Sequence, residues 1–200
     1  QRQMCIRDRR EAILCFCLAN VVRDLRGQSK EPRSMLVNMS RFIHVQKVIT
    51  EHVAIWFEEI FNDIRVNFNN DASKNHHLPL YTELCSIWEK HFSNVTDVTF
   101  ERVSKKVSLL AALEKIEVKM VNGSKQSASL NYKENPSLRV IAIGGLALSR
   151  GLTLEGLMVS YFYRNTATFD VLMQMGRWFG YRRGYEDLFQ IWTSHTSALW

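Results

Sequence analysis

Arginines and glycines are concentrated late in the sequence, in residue types and spacings that could bind an anion. The stretch LMQMGRWFGYR places Arg177 and Arg182 on either side of aromatic rings, with Gln174 and Gly176 just before. Residues 139–184 hold six arginines, no lysine and two acidic residues. A guanidinium binds phosphate through two parallel hydrogen bonds, and glycine lets backbone N–H groups come close to an anion. The pattern favours a phosphate site over a solvated basic face.

Hydrophobic periodicity predicts strands that alternate with helices along the whole chain. The predicted strands are 35–40, 116–121, 139–143, 156–163 and 187–193. The predicted helices are 11–26, 42–64, 79–92, 98–114 and 167–179. This alternation is typical of an α/β layer fold with a largely parallel sheet.

Polar, glycine and arginine residues follow the predicted strands. Ligands of open parallel sheets bind beyond the carboxyl ends of the strands, which meet at one edge. The residues that we expect at this edge are Ser40, Arg41, Asn122, Gly123, Gly144, Gly145 and Arg164.

Three stretches resemble a known family. SMLVNMSRF, RVIAIGGLALSRGLTLEGLMVSYFYRN and LMQMGRWFGYRRGYEDL together resemble the Z-one domain, a domain of bacterial endonucleases that accompanies a superfamily-two helicase-type ATPase. The resemblance covers about residues 11–193. The same stretches are similar to motifs four, five and six of the second RecA-like lobe of such helicases. The resemblance implies a RecA-like three-layer fold, a largely parallel sheet flanked by helices, with residues 66–115 as a helical insertion.

The resemblance also implies a function and roles for single residues. The chain would be the second motor lobe of a helicase-like ATPase acting on DNA, within a bacterial restriction or phage-defence endonuclease system. The implied catalytic residues are Arg177, Arg182 and Gln174. The implied nucleotide- and phosphate-binding residues are Gly144, Gly145, Ser149, Arg150, Gly151, Thr153, Glu155 and Gly176. The implied nucleic-acid-binding residues are Ser40, Arg41, Asn122, Gly123 and Arg164.

ATP and Mg²⁺ would be bound mainly by another lobe. The sequence has no G-x-x-x-x-G-K-[ST] phosphate loop and no acidic magnesium motif beside it. We therefore expect an ATPase lobe upstream in a longer protein, and no activity from this fragment alone. Two alternatives stay open: a non-catalytic nucleic-acid-binding or scaffold domain, and a metal-dependent nuclease built on Asp97, Glu117 and Lys119.

Composition bounds these interpretations. The 200 residues suffice for one domain with a substantial core, and the net charge is +6. Half of that charge comes from residues 1–10, which resemble translated sequencing adapter and are set apart from a domain covering 11–200. The four cysteines include no C-x-x-C pair, so no metal site is predicted. No apolar run is long enough to cross a membrane, and we expect a cytoplasmic protein.

Overall fold

A computed structural model describes residues 2–40, 42–121, 130–145, 154–162 and 184–193, with the side chains of residues 2–6 left out. Its α-helices are α1 (Arg2–Leu25), α2 (Ile43–Asn67), α3 (Pro79–His91), α4 (Phe100–Val103) and α5 (Lys106–Leu113). Its strands are β1 (Arg33–Asn38), β2 (Ile116–Val121), β3 (Arg139–Gly144), β4 (Leu157–Phe162) and β5 (Gln190–Thr193). Short 3-10 turns cover Ala72–Asn75 and Glu186–Leu188.

The five strands form one sheet in the order β2-β3-β1-β4-β5, and every neighbouring pair is parallel. The predicted α/β fold with a parallel sheet flanked by helices is therefore confirmed. Strands β1, β3 and β4 are buried along their whole length. This burial explains why they read as continuous apolar runs rather than as alternating patterns.

Helix α1 is the centre of the larger core. Every residue from Ala12 to Arg23 is buried, because the helix packs on β4 from one side and is covered by α3, α4 and α5 from the other. The predicted insertion, about residues 66–115, thus supplies the cover of a central helix. A helix buried on all sides needs no polar face.

The start of α1 differs from the prediction, which began this helix at residue 11. The helix begins at Arg2. Arg10 Nε and Nη2 donate hydrogen bonds to the Glu83 carboxylate of α3 at 2.9 Å, and this contact spans residues far apart in the sequence. The adapter-like origin of residues 1–10 stays a prediction. At its other end α1 stops as predicted, with Gly27 at φ +79°.

The predicted helix over 98–114 is two helices, because tertiary contacts interrupt it. Lys105 is extended, with φ −65° and ψ 137°. The following N–H groups bond to the loop after α2: Lys106 N–H donates to the Asn69 carbonyl and Val107 N–H to Asn70 Oδ1. These partners replace the helical bonds that a continuous helix would make.

The sheet has two differently covered faces. Residues Met35 and Val37 of β1 belong to the main core with the helices, whereas Leu36 belongs to a second cluster on the opposite face. That second cluster also contains Leu130, Tyr132 and Leu154, from the segments that lead into β3 and β4. The predicted helix 167–179 lies outside the described residues.

Candidate phosphate-binding edge of the sheet

The carboxyl ends of the strands lie at one edge because the sheet is parallel. Central strand β1 ends at Asn38, which pairs in register with Gly144, the last residue of β3. The chain leaves β1 toward the face covered by α2, and Leu154, which precedes β4, packs on the other face. Ligands of open α/β sheets usually bind beyond the carboxyl ends of the strands.

Ser40 shapes the turn between β1 and α2. Its side chain is buried, and its Oγ accepts a hydrogen bond from the Phe42 N–H at 3.1 Å. Gln46, also buried, donates from Nε2 to the Ser40 carbonyl at 2.8 Å. The hydroxyl of Ser40 therefore holds the turn.

Arg9 lies beside the carboxyl end of β1. The sequence analysis did not predict a role for this residue. Its Nη1 is 3.1 Å from Met39 Sδ, and its guanidinium lies 5.0 Å from the centre of the Trp56 ring. The side chain is buried. The sequence analysis overlooked Arg9 because it excluded residues 1–10 from the domain. Extending the predicted helix toward the amino terminus would have placed Arg9 one turn before Ala12.

The glycines after β3 lie where the sequence predicts. Gly144 ends the strand and Gly145 follows it, buried, at the carboxyl edge. Because β3 is the strand next to β1 and Gly144 pairs with Asn38, the backbone of the two glycines lies beside the Ser40 turn. Backbone groups at such a position can approach a phosphate because no side chain intervenes.

Glu155 is on the other edge, contrary to its grouping with the glycines. Its carbonyl accepts a hydrogen bond from Ser34 Oγ at 2.7 Å, near the amino ends of β1 and β4. After a parallel strand the chain returns to the opposite edge to begin the next one, so residues just before β4 lie a strand length, roughly 20 Å, from Gly145. Glu155 is therefore no part of the carboxyl-edge site.

Twelve of the predicted site residues lie outside the described part of the chain. They are Arg41, Asn122, Gly123, Ser149, Arg150, Gly151, Thr153, Arg164, Gln174, Gly176, Arg177 and Arg182.

A buried charge cluster at the amino edge was not predicted. Asp24 accepts hydrogen bonds from Arg33 at 2.6 Å and from Arg139 at 2.7 and 2.9 Å, and both arginines are fully buried. Burial, together with the charge of Arg139, lowers the pKa of Arg33 to about 10. Buried Arg23 joins the cluster, pairing with Glu31 at 2.7 Å and lying 4.0 Å from the Tyr185 ring centre. The terminal guanidinium nitrogens of Arg33 and Arg139 all donate hydrogen bonds within the protein, and the cluster fastens the amino ends of β1 and β3 to α1.

The residues of the nuclease alternative are not brought together. Asp97 pairs with Arg26 at 2.6 Å, and the same guanidinium holds Asp187, just before β5. Glu117 and Lys119 pair with each other on β2, the opposite outer strand, four strand spacings or roughly 19 Å away. In the described ranges no group of three or more histidine, cysteine or acidic side chains could hold a metal ion.

A comparison with family models gives one match, to the Z1 domain, over residues 9–200. No curated protein and no solved structure matches the chain. Within the described residues, no helix is both long and apolar enough to span a membrane. Since the family model matches nearly the whole sequence, this chain belongs to the Z1 domain family.

Proposed function

We propose that this Z1 domain is the second lobe of a helicase-like ATPase acting on DNA, in a bacterial restriction or phage-defence endonuclease system. The observation that carries the proposal is the carboxyl edge of the parallel sheet, where the end of β1 pairs with Gly144 of β3 and Gly145 follows. The arginine-rich sequence that follows β3 supports the same edge as the place where an anion binds.

The role that we propose for each residue follows from its chemistry. The backbone around Gly144, Gly145 and Ser149–Thr153 would face phosphate, and Arg177 would neutralise charge on the transferring phosphoryl group. Arg41 and Arg164 would contact the phosphates of DNA, with Asn122 and Gly123 beside them. ATP and Mg²⁺ fit this edge only as a shared site, because the sequence has no phosphate-loop lysine. A first lobe would hold them.

The first test concerns the 200-residue chain by itself. We expect no ATP hydrolysis above buffer, with or without DNA, because the nucleotide would need groups from the other lobe. Hydrolysis that copurifies with the chain through successive columns would contradict the two-lobe proposal.

The second test concerns Arg177 in the full-length protein. Arg177→Ala and Arg177→Lys should each lower ATP turnover by on the order of 10³-fold, because a lysine lacks the two-pronged geometry of the guanidinium. ATP affinity should change little, since the first lobe would set it. Arg183→Ala is the matched control, with a mild effect.

The outcomes separate the candidate functions. Wild-type turnover in Arg177→Ala, or a loss that follows a lowered melting temperature, would make Arg177 a structural residue. DNA binding by a full-length protein that hydrolyses no ATP would contradict the motor and support the scaffold alternative.

A further inference from the structure

Arg26 joins two distant parts of the chain at the amino edge of the sheet. It directly follows α1, and its side chain is 18% exposed. Its Nη1 and Nη2 donate to the two carboxylate oxygens of Asp187 at 2.9 and 2.6 Å. Its Nε and Nη2 also donate to Asp97 Oδ1, at 3.0 and 2.6 Å. The two-pronged contact with Asp187 fixes the direction as well as the distance between the two side chains.

The segment that Arg26 holds, residues 184–188, is also held by two neighbouring side chains. The Gly184 carbonyl accepts hydrogen bonds from Arg26 Nη1 at 3.3 Å and from Gln28 Nε2 at 3.1 Å. Gly184 has φ +89°, and a Cβ there would lie 2.6 Å from Gln28 Nε2, so the backbone passes close to this amide. Tyr185 is buried, and the Arg23 guanidinium lies 4.0 Å from its ring centre. Side chains at the end of α1 and just after it therefore anchor this segment.

The anchored segment directly follows the arginine-rich sequence. LMQMGRWFGYR ends two residues before Gly184, and Arg177 lies seven residues before it. Seven residues span at most about 25 Å, so the anchor at Gly184 limits where Arg177 can lie. A group that acts on a transferring phosphoryl group has to be placed accurately, since a displacement of about 1 Å can cost on the order of 10²-fold in rate.

We propose that Arg26 is a positioning residue for phosphoryl transfer: by holding Asp187 and Gly184, it fixes the chain just after the sequence that carries Arg177. This inference rests on the proposed function, in which Arg177 acts on the transferring phosphoryl group. Asp187 precedes β5, so Arg26 lies at the amino edge, a strand length or roughly 20 Å from the proposed phosphate site. Arg26 therefore acts through Arg177 and not by contact with the phosphate.

Asp97 offers a matched comparison with Asp187. It pairs with the same guanidinium but belongs to the loop after α3, and its side chain is 75% exposed, against 24% for Asp187. Asp97→Asn leaves the two-pronged contact with Asp187 in place, whereas Asp187→Asn removes the charge that holds the segment after the arginine-rich sequence. Arg26→Lys keeps the positive charge but gives up the two-pronged contact.

The primary experiment measures ATP turnover of the full-length protein with DNA, expressed per molecule that binds nucleotide. Arg26→Lys and Asp187→Asn should each lower kcat by about tenfold or more, because Arg177 is then misplaced. ATP affinity should change little, since the first lobe would set it. Asp97→Asn should keep the wild-type kcat. Melting temperatures of all variants, with every assay well below the lowest of them, separate a loss of turnover from unfolding.

A double-mutant cycle tests whether Arg26 acts through Arg177. In an Arg177→Ala background, Arg26→Lys should cause no further loss of turnover, because a positioning residue has no effect once the group that it positions is gone. Losses that multiply would make Arg26 a structural residue and overturn the proposal, as would a wild-type kcat in Arg26→Lys beside a lost kcat in Arg177→Ala. A full-length protein that hydrolyses no ATP would instead overturn the proposed function, and this inference with it.

Discussion

Asp24 joins two fully buried arginines from different strands through one carboxylate. Its removal would leave Arg33 and Arg139 as buried charges with only carbonyl partners. Because desolvated charges without a counter-charge are costly, a pair of this kind matters most when one partner is deleted. The stability of the domain should therefore depend strongly on Asp24, which holds the amino edge of the sheet together.

We expect Asp24→Asn to lower the free energy of unfolding by about 3–5 kcal/mol, the cost of breaking a buried ion pair from one side. Urea denaturation followed by circular dichroism measures the change. Asp97→Asn is the control, because Asp97 pairs with Arg26 from an exposed position and its loss should matter far less. Equal midpoints for the two variants would show that the Asp24 cluster is not the fastening that we describe.

Glu11 gives the domain a component of acid sensitivity. Burial alone would raise its pKa, but hydrogen bonds from Lys90 and His91, at 2.7 and 2.9 Å, bring the pKa below the usual 4.5. A carboxyl with a lowered folded-state pKa stabilises fully above its unfolded pKa, and the contribution is lost as pH falls through the folded value.

Glu11→Gln should therefore lose more stability at neutral pH than below about pH 4, where wild type and variant converge. Urea midpoints across an acid pH series measure this convergence. Glu114→Gln, at an exposed glutamate after α5, serves as the control for the substitution itself. A constant difference between Glu11→Gln and wild type at all pH values would contradict the linkage.

At the scale of elements, one glycine sets the register between two strands. Gly156 has φ +65°, and its carbonyl accepts a hydrogen bond from the Ser34 N–H at 2.9 Å where β4 begins beside β1. A Cβ at this position would lie 1.9 Å from the Pro32 carbonyl oxygen. The backbone of two strands would have to separate to admit it.

Gly156→Ala should consequently destabilise the domain far more than Gly27→Ala. Gly27 has a similar φ of +79°, but no atom lies within 4 Å of the position that an added methyl group would take. Its alanine therefore bears only the left-handed backbone cost of about 1–2 kcal/mol. Thermal unfolding of both variants gives the comparison. Similar melting temperatures of the two variants would mean that the backbone around Pro32 and Gly156 can move apart at little cost in free energy.

The sequence predicted elements best where the signal was local. Strand β2 was predicted residue for residue at 116–121, because alternation marks a strand with one exposed side. Strand β1 begins at Arg33 rather than at 35. An arginine in a sequence indicates an exposed loop, and only its ion pair with Asp24 explains why Arg33 is buried in a strand. The break at Lys105 depended on contacts with Asn69 and Asn70, which no local pattern contains.

For the candidate site, too, some features could be predicted from the sequence and others depended on contacts between distant residues. A parallel sheet places Gly145 and the Ser40 turn at one edge, so their neighbourhood could be predicted from topology alone. Glu155 was wrongly predicted at the carboxyl edge because a sequence motif does not show which of its residues lie at the opposite edge of the sheet. Asp24 and Arg139 were missed since they lie 115 residues apart.

At the scale of the whole molecule, the burial of α1 makes the core depend on helices from distant parts of the chain. Residues 12–22 are covered by the sheet and by α3, α4 and α5 together. Each of these elements contacts α1. The domain should therefore unfold as one unit, although the family resemblance reads residues 66–115 as an insertion.

Native-state hydrogen exchange tests this dependence. Amides of residues 12–22 should exchange only through global unfolding, with a free energy equal to that from urea denaturation, because no local opening exposes them. Amides in the first turn of α2 have no helical acceptors and should exchange fastest. Exchange of α1 at a much lower free energy would reveal a separable subdomain.

Strand β2 is the outermost strand on its side of the described sheet, and this position gives its charged residues a protective role. An edge strand offers unpaired backbone groups on which another molecule can add a strand, and charged side chains discourage this association. Glu117 and Lys119, paired at 2.6 Å on one face of β2, interrupt an otherwise apolar run, IEVKMV. We therefore expect the Glu117–Lys119 pair to discourage aggregation, and replacing both residues by valine should leave the fold intact while shortening the lag time of fibre formation.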